Sequence, residues 1–162
     1  MNSDMQKRLE SHRFFAGLPD HFAGQISQHA RSLDFKVDAL LTKTGQPANE
    51  FFLIEKGHVA LETHAPGLQL TIETLGPNDI LGWSWLIPPF QWRFDARAVE
   101  PTQVLAIDGE WLRNECEANA ELGYALLKRV TTVFVDRLAH TRMQLLDIYN
   151  PRSEDSPFIA PM

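Results

Sequence analysis

Residues 82–97 read Gly-Trp-Ser-Trp-Leu-Ile-Pro-Pro-Phe-Gln-Trp-Arg-Phe-Asp-Ala-Arg, and most of the side chains able to do specific chemistry are concentrated there. Trp83, Trp85 and Trp92 fall within ten residues of one another, with Phe90 and Phe94 beside them. Indoles this close could box a flat or cationic ligand, because the ring face attracts positive charge and buries a large apolar area. The same rings could instead plug a pocket and become core, or meet a protein surface, where tryptophan is favoured. Arg93 is the first candidate to hold an anion and Arg97 the second, against the ordinary case of a surface arginine. The candidate ligand-binding set is therefore Gly82, Trp83, Ser84, Trp85, Trp92, Arg93, Phe94 and Arg97. Pro88-Pro89 stiffens the turn between them, which suits a fixed plug more than a mobile loop.

Other chemistries find little support. The chain has 6 histidines, but His58 and His64 are separated by five residues and no His-x-His occurs, so no metal site is expected. Cys116 is the only cysteine, which leaves no disulfide, cysteine-bound iron–sulfur cluster or cysteine zinc site within one chain. There is no nucleophile elbow, phosphate-binding glycine loop or acidic dyad, so neither an enzyme nor a cofactor is expected. Asp95, between Arg93 and Arg97, is expected to be ion-paired rather than catalytic.

With 162 residues, 44% hydrophobic and 22% charged, the chain fits one globular domain plus an appendage. The net charge of -6 offers no footprint for a phosphate backbone, so nucleic acid is not expected as a partner. No run approaches the roughly 18 apolar residues of a membrane helix, and Asp4, Lys7 and Glu10 interrupt any signal-peptide core. The expected setting is cytoplasmic, away from membranes.

The elements that would position these residues fall into three zones of one domain, 1–149. Residues 4–35 read as helices, with Ser3 or Asp4 as N-caps and Gly17-Leu-Pro-Asp20 as a break. Residues 36–108 hold short apolar runs at Leu40–Thr42, Phe51–Glu55, His58–Thr63, Leu68–Thr74, Ile80–Gly82, Phe94–Val99 and Gln103–Ile107, separated by turn residues. Seven or eight short strands with sharp corners make a small β-roll. Residues 109–149 return to helical spacing, with Leu122, Leu126, Val130, Val133, Arg137, Thr141 and Leu145 near one stripe. That helix is longer than a small roll needs, so part of its stripe is expected to meet the same helix of a second copy. Residues 150–162 read as a disordered tail.

Three segments together carry a family resemblance. Leu41-Thr-Lys-Thr-Gly45-Gln-Pro-Ala-Asn-Glu-Phe51-Phe-Leu-Ile-Glu-Lys-Gly57-His-Val59 resembles the opening of the Crp/Fnr cyclic-nucleotide-binding domain. Phe14-Phe15-Ala-Gly-Leu18 is similar to that family's helical lead-in, and Leu75-Gly-Pro-Asn-Asp-Ile-Leu-Gly82 to its L-G-x-G-D-x-F-G turn, with Asn78 in place of the second glycine. The resemblance implies a jelly-roll (double-stranded β-helix) sensor domain, mainly β with flanking α, carrying N-terminal helices and a long C-terminal dimerisation helix.

In such domains the turn continues into a Glu, a short helix of small residues, and an Arg before the next strand. The resemblance implies that turn amides and the Arg hold a cyclic phosphate while the Glu accepts the ribose hydroxyl. Here Trp83 stands at the Glu position. Aligned forward from Gly82 the Arg falls near Arg93; aligned back from Ala98 it falls on Trp92, and one residue of shift in a strand reverses the face. The expectation is a non-enzymatic sensory module for a small anionic ligand, cyclic nucleotide being the candidate with its affinity weakened by loss of the Glu. It would not bind DNA itself, because the tail from Asn150 is too short for a helix-turn-helix. The alternative is a protein-interaction module with an aromatic-plugged pocket.

Overall fold

Alternating and fully apolar short runs dominate the middle of the chain, and in the computed structural model, which describes residues 2–149, they form eight strands. These are β1 (Ala30–Phe35), β2 (Leu40–Thr42), β3 (Glu50–Lys56), β4 (Val59–Ala65), β5 (Leu68–Leu75), β6 (Ile80–Leu81), β7 (Asp95–Ala98) and β8 (Thr102–Asp108). They make two four-stranded antiparallel sheets, ordered β1-β8-β3-β6 and β2-β7-β4-β5. The two sheets with flanking helices form the expected jelly roll.

Phe51, Phe52, Leu53 and Ile54 of β3 are all buried, so this strand is covered on both faces. Val104, Leu105, Ala106 and Ile107 of β8 share that property, and the β3–β8 pair forms the middle of the first sheet. At roughly 25 cal/mol per Å² of apolar surface removed from water, such doubly covered strands are a large source of stability.

One zone departs from its expectation. Helix was expected over 4–35, yet the helical part is α1 (Asn2–Ser11), a 3-10 turn (Arg13–Phe15) and α2 (Asp20–Ser27), and Ala30–Phe35 is a strand. That segment pairs with β8 in unbroken register from Ala30↔Ile107 to Phe35↔Thr102. The roll therefore begins at residue 30, not 36. Ser3 and Asp4 also lie inside α1 rather than capping it.

The N-terminal helices contribute core residues of their own. Leu9, Phe15, Phe22 and Ile26 are each at most 2% exposed. His12 joins the two parts: its Nε2–H donates to Ile54 O at 3.1 Å, while Nδ1 accepts the Phe14 amide at 3.2 Å.

After β8 come α3 (Gly109–Ala118), capped by Asp108, and α4 (Ala120–Tyr149). Two compact units are distinguished, residues 1–125 and 126–162. The first contains the roll, the N-terminal helices, α3 and the start of α4; the second, among the described residues, is the rest of α4. On the expected stripe Leu122, Leu126 and Val130 are buried, Val133 and Arg137 half-buried, and Thr141 and Leu145 exposed. The tail over 150–162 lies outside the described residues. No helix among the described residues is long and apolar enough to cross a membrane.

Candidate functional site

The turn after Gly82 is short and crowded. Gly82 has φ +76°, and a Cβ there would stand 3.0 Å from the Trp92 ring, so both the conformation and the space call for glycine. The backbone then makes one helical turn, in which the Leu86 and Ile87 amides donate to Trp83 O at 2.9 and 3.2 Å. Among the described residues the Ser84 and Trp85 amides meet no acceptor, although both residues are buried. The Pro88-Pro89 peptide is cis, and Phe90 sits at φ +57°.

The far end of the turn is laced to residues 45–48. Trp92 O accepts from Gly45 N at 2.8 Å, the Trp92 amide donates to Gln46 O at 2.9 Å, and Phe90 O accepts from Ala48 N at 2.8 Å. The helix α3 adds a clamp: Arg113 Nη1 donates to Trp85 O at 2.5 Å, and its guanidinium lies 3.9 Å from the Phe90 ring centroid.

The predicted aromatic cluster divides in two. Trp85 is fully buried and stacks on Phe51 with centroids 5.0 Å apart, and its Nε1–H has no acceptor among the described residues. Trp92 is 8% exposed and stacks on Phe52 at 6.1 Å. Trp83 and Phe94 are half-buried and meet edge to face at 6.5 Å. The rings do not close into one box; two belong to the core, and two lie nearer the surface.

The arginines are resolved by their neighbours. Trp92 takes the buried side of the chain and Arg93 the exposed side, as a one-residue reversal requires. Arg97 is half-buried but engaged: Nη2 donates to Glu62 at 2.7 Å and Nη1 to Asp38 at 2.9 Å. The Arg97 guanidinium holds the buried Glu62 carboxyl below its ordinary range. Its charge is already balanced, which removes Arg97 as a free anion ligand.

Asp95 is paired as expected, and its partner is His64. Its Oδ1 accepts the Thr44 amide at 2.8 Å and the Thr44 hydroxyl at 2.9 Å, while Oδ2 accepts from His64 Nε2 at 2.7 Å. The Thr44 amide, and then its hydroxyl and His64, hold this carboxyl below the ordinary aspartate range against the opposing effect of burial. Asp95 thus ties β7 to the segment that laces the turn. Sequence reasoning missed this role and that of Arg113, because nothing in the spacing of Thr44, His64 and Asp95, or of Arg113 and Phe90, marks them as neighbours.

Among the described residues no group of three or more His, Cys, Asp or Glu side chains is arranged to hold a metal ion. Burial pushes the Cys116 thiol up to about 11, so it is protonated and unreactive at neutral pH.

The family model described as cyclic nucleotide-binding domain matches residues 33–119. A protein from Geobacter metallireducens GS-15, described as a cyclic nucleotide-binding protein, is 31% identical, with a TM-score of 0.76 over 82% of this chain and 97% of that one. The chain belongs to the cyclic nucleotide-binding domain family.

Two further members of this fold share less sequence. A cyclic nucleotide-binding domain from Methylobacillus flagellatus KT is 18% identical with a TM-score of 0.73, covering 90% of this chain and 82% of that one. The sensor domain of the transcriptional regulator DNR from Pseudomonas aeruginosa is 19% identical with a TM-score of 0.69, covering 85% and 93%. No curated protein matches the chain at a significant level.

Proposed function

We propose that this member of the family is a non-enzymatic regulatory module that takes a small anionic ligand at the turn after Gly82, with ordinary cyclic nucleotides bound weakly. The observation that carries this reading is the pair of unpaired amides at the buried residues Ser84 and Trp85, in a turn whose far side is exposed. Buried N–H groups without partners are rare and costly, and successive free amides favour an anion. Weak binding of cyclic nucleotides follows from the two exchanged side chains. Trp83 offers no acceptor to a ribose hydroxyl, and Trp92 places a buried indole where the strand-anchored alignment puts the phosphate arginine. The exposed Arg93 is the cation left to approach an anion from outside.

A second reading, a protein-interaction module with a plugged pocket, is favoured by the packing of Trp85 on Phe51 and Trp92 on Phe52. Titration with cyclic AMP, cyclic GMP and inorganic phosphate, followed by tryptophan emission and thermal shift, separates the two. Saturable responses that weaken in Arg93→Ala support the ligand module. Silence at millimolar concentration of all three supports the plug.

The module is proposed to act as a homodimer through α4, in the cytoplasm. Supporting the dimer, α4 runs for 30 residues and leaves Phe134, Leu138, Leu145 and Ile148 exposed. Two such helices side by side bury what one alone leaves in water.

A further inference from the structure

Away from the turn, the ends of β1, β3 and β8 enclose an open groove of about 750 Å³. Next to it Gly57, at φ +91°, turns the chain tightly after β3, close enough that a Cβ there would fall 2.5 Å from Thr102 Oγ1. The β3–β8 register also shifts between Ile54 and Lys56, so Lys56 comes opposite Gln103. Apolar groups from Phe35, Val37 and Pro101 line the groove, and Lys36 and Lys56 stand at its rim. Val37 is 53% exposed, a large apolar side chain left facing water.

The two ammonium groups are notable for what they lack. Arg8, Arg31 and Arg97 are each paired with a carboxylate, but the side-chain nitrogens of Lys36 and Lys56 have no ion-pair or hydrogen-bond partner among the described residues. Asp34, also on the groove, is the one acidic side chain there. In a chain of net charge -6 this leaves a local excess of one positive charge beside an apolar floor. Volumes of about 300–1,000 Å³ suit drug-sized ligands, and a few placed charges over an apolar lining fix their orientation.

We propose that this groove is a second binding site, separate from the turn, for an amphipathic organic carboxylate, whose apolar body lies on Phe35, Val37 and Pro101 and whose carboxylate meets Lys36 and Lys56. A neutral ligand forgoes the ammonium groups, and a fully polar anion forgoes the floor. The site also has a route to the core: Phe35 meets Phe52 edge to face at 6.4 Å, and Phe52 stacks on Trp92 at 6.1 Å. A ligand seated on Phe35 therefore perturbs the environment of the Trp92 indole.

The test is titration of the full chain with 2-naphthoate, and with uncharged 2-naphthylmethanol in parallel, followed by amide and indole NMR shifts. Expected are saturable shifts at residues 35–37 and 102–103 and at the Trp92 indole N–H. Lys36→Ala/Lys56→Ala should weaken 2-naphthoate roughly tenfold, as loss of two exposed ion pairs implies, and leave 2-naphthylmethanol unchanged. Both lysines are exposed, so the double variant keeps its fold, which the dispersion of its spectrum verifies. Absence of saturable binding overturns the proposal, as do shifts confined to residues 82–94 or equal affinity in the double variant. The site at the turn stands or falls separately, on the phosphate and cyclic nucleotide titrations.

Discussion

The guanidinium of Arg113 rests on the ring of Phe90 and hydrogen-bonds the carbonyl of Trp85, so one side chain of α3 grips both shoulders of the turn after Gly82. A charged hydrogen bond contributes about 1.5–3 kcal/mol and an exposed cation–π contact about 0.5–1. Arg113→Ala is expected to lower stability by about 2 kcal/mol in urea unfolding. Arg113→Lys, which keeps the charge but not the fork, should recover less than half of it.

His12 makes stability depend on pH in a defined direction. It is 4% exposed and uses both ring nitrogens, and burial pushes its pKa below the ordinary histidine value. The unfolded chain binds its proton below about pH 6.5 and the native chain does not until lower pH, so stability is full above that value and falls as pH drops beneath it. His12→Gln should be less stable at pH 7.5 and show a flatter decline between about pH 6.5 and 5, read as the difference between the two unfolding midpoints.

Asp95 titrates with the opposite chemistry. Its native pKa is depressed, so its contribution is present above about pH 3.9 and is lost as pH falls through the native value. Asp95→Asn is expected to cost about 2 kcal/mol at pH 7, because two hydrogen bonds from Thr44 and one from His64 lose a charged acceptor. The gap to the parent protein should narrow progressively as pH falls below about 3.9, which a series of unfolding curves from pH 7 downward checks.

Trp85 offers a size test. Trp85→Ala should cost about 3–5 kcal/mol, as expected for a large buried ring. In Trp85→Phe the lost area is offset by removing a buried N–H that has no acceptor, and the change should stay within about 1 kcal/mol.

Leu138 and Leu145 are seven residues apart on α4 and about half exposed. If α4 pairs with its copy, Leu138→Glu/Leu145→Glu should convert a dimer to a monomer at micromolar concentration in sedimentation velocity, while the roll keeps its thermal transition. A parent protein that sediments as a monomer removes the dimer from the proposed function.

The roll was legible because its apolar runs are short and each ends at a residue that tolerates a sharp corner; Leu40–Thr42 coincides with β2, and Leu68–Thr74 differs from β5 by one residue. Ala30–Phe35 was not legible. Its alternation rests on Leu33 and Phe35 alone, and its pairing with β8, about 70 residues away, is invisible locally. The turn was recognisable as a site, but not which face each side chain takes, because Trp92 and Arg93 exchange places on a shift of one residue. Asp95 was recognisable as a residue to be paired, but its partner was not: cross-strand neighbours decide, with Glu62 opposite Asp95 in the sheet, His64 on its carboxylate, and Arg97 turning to Glu62 and Asp38.

Phe14 and Phe15 meet Phe51 edge to face at 5.1 and 6.4 Å, and Phe51 in turn stacks on Trp85. The N-terminal segment, the central strand and the turn are therefore one block of aromatic rings rather than three neighbours. Such a block opens all at once or not at all, so the hydrogen-bonded amides of residues 14–15, 51–54 and 86–87 should share a single hydrogen-exchange free energy. Loosening the turn, as in Trp85→Ala, should therefore raise exchange at residues 14–15 as well, at the far end of that block.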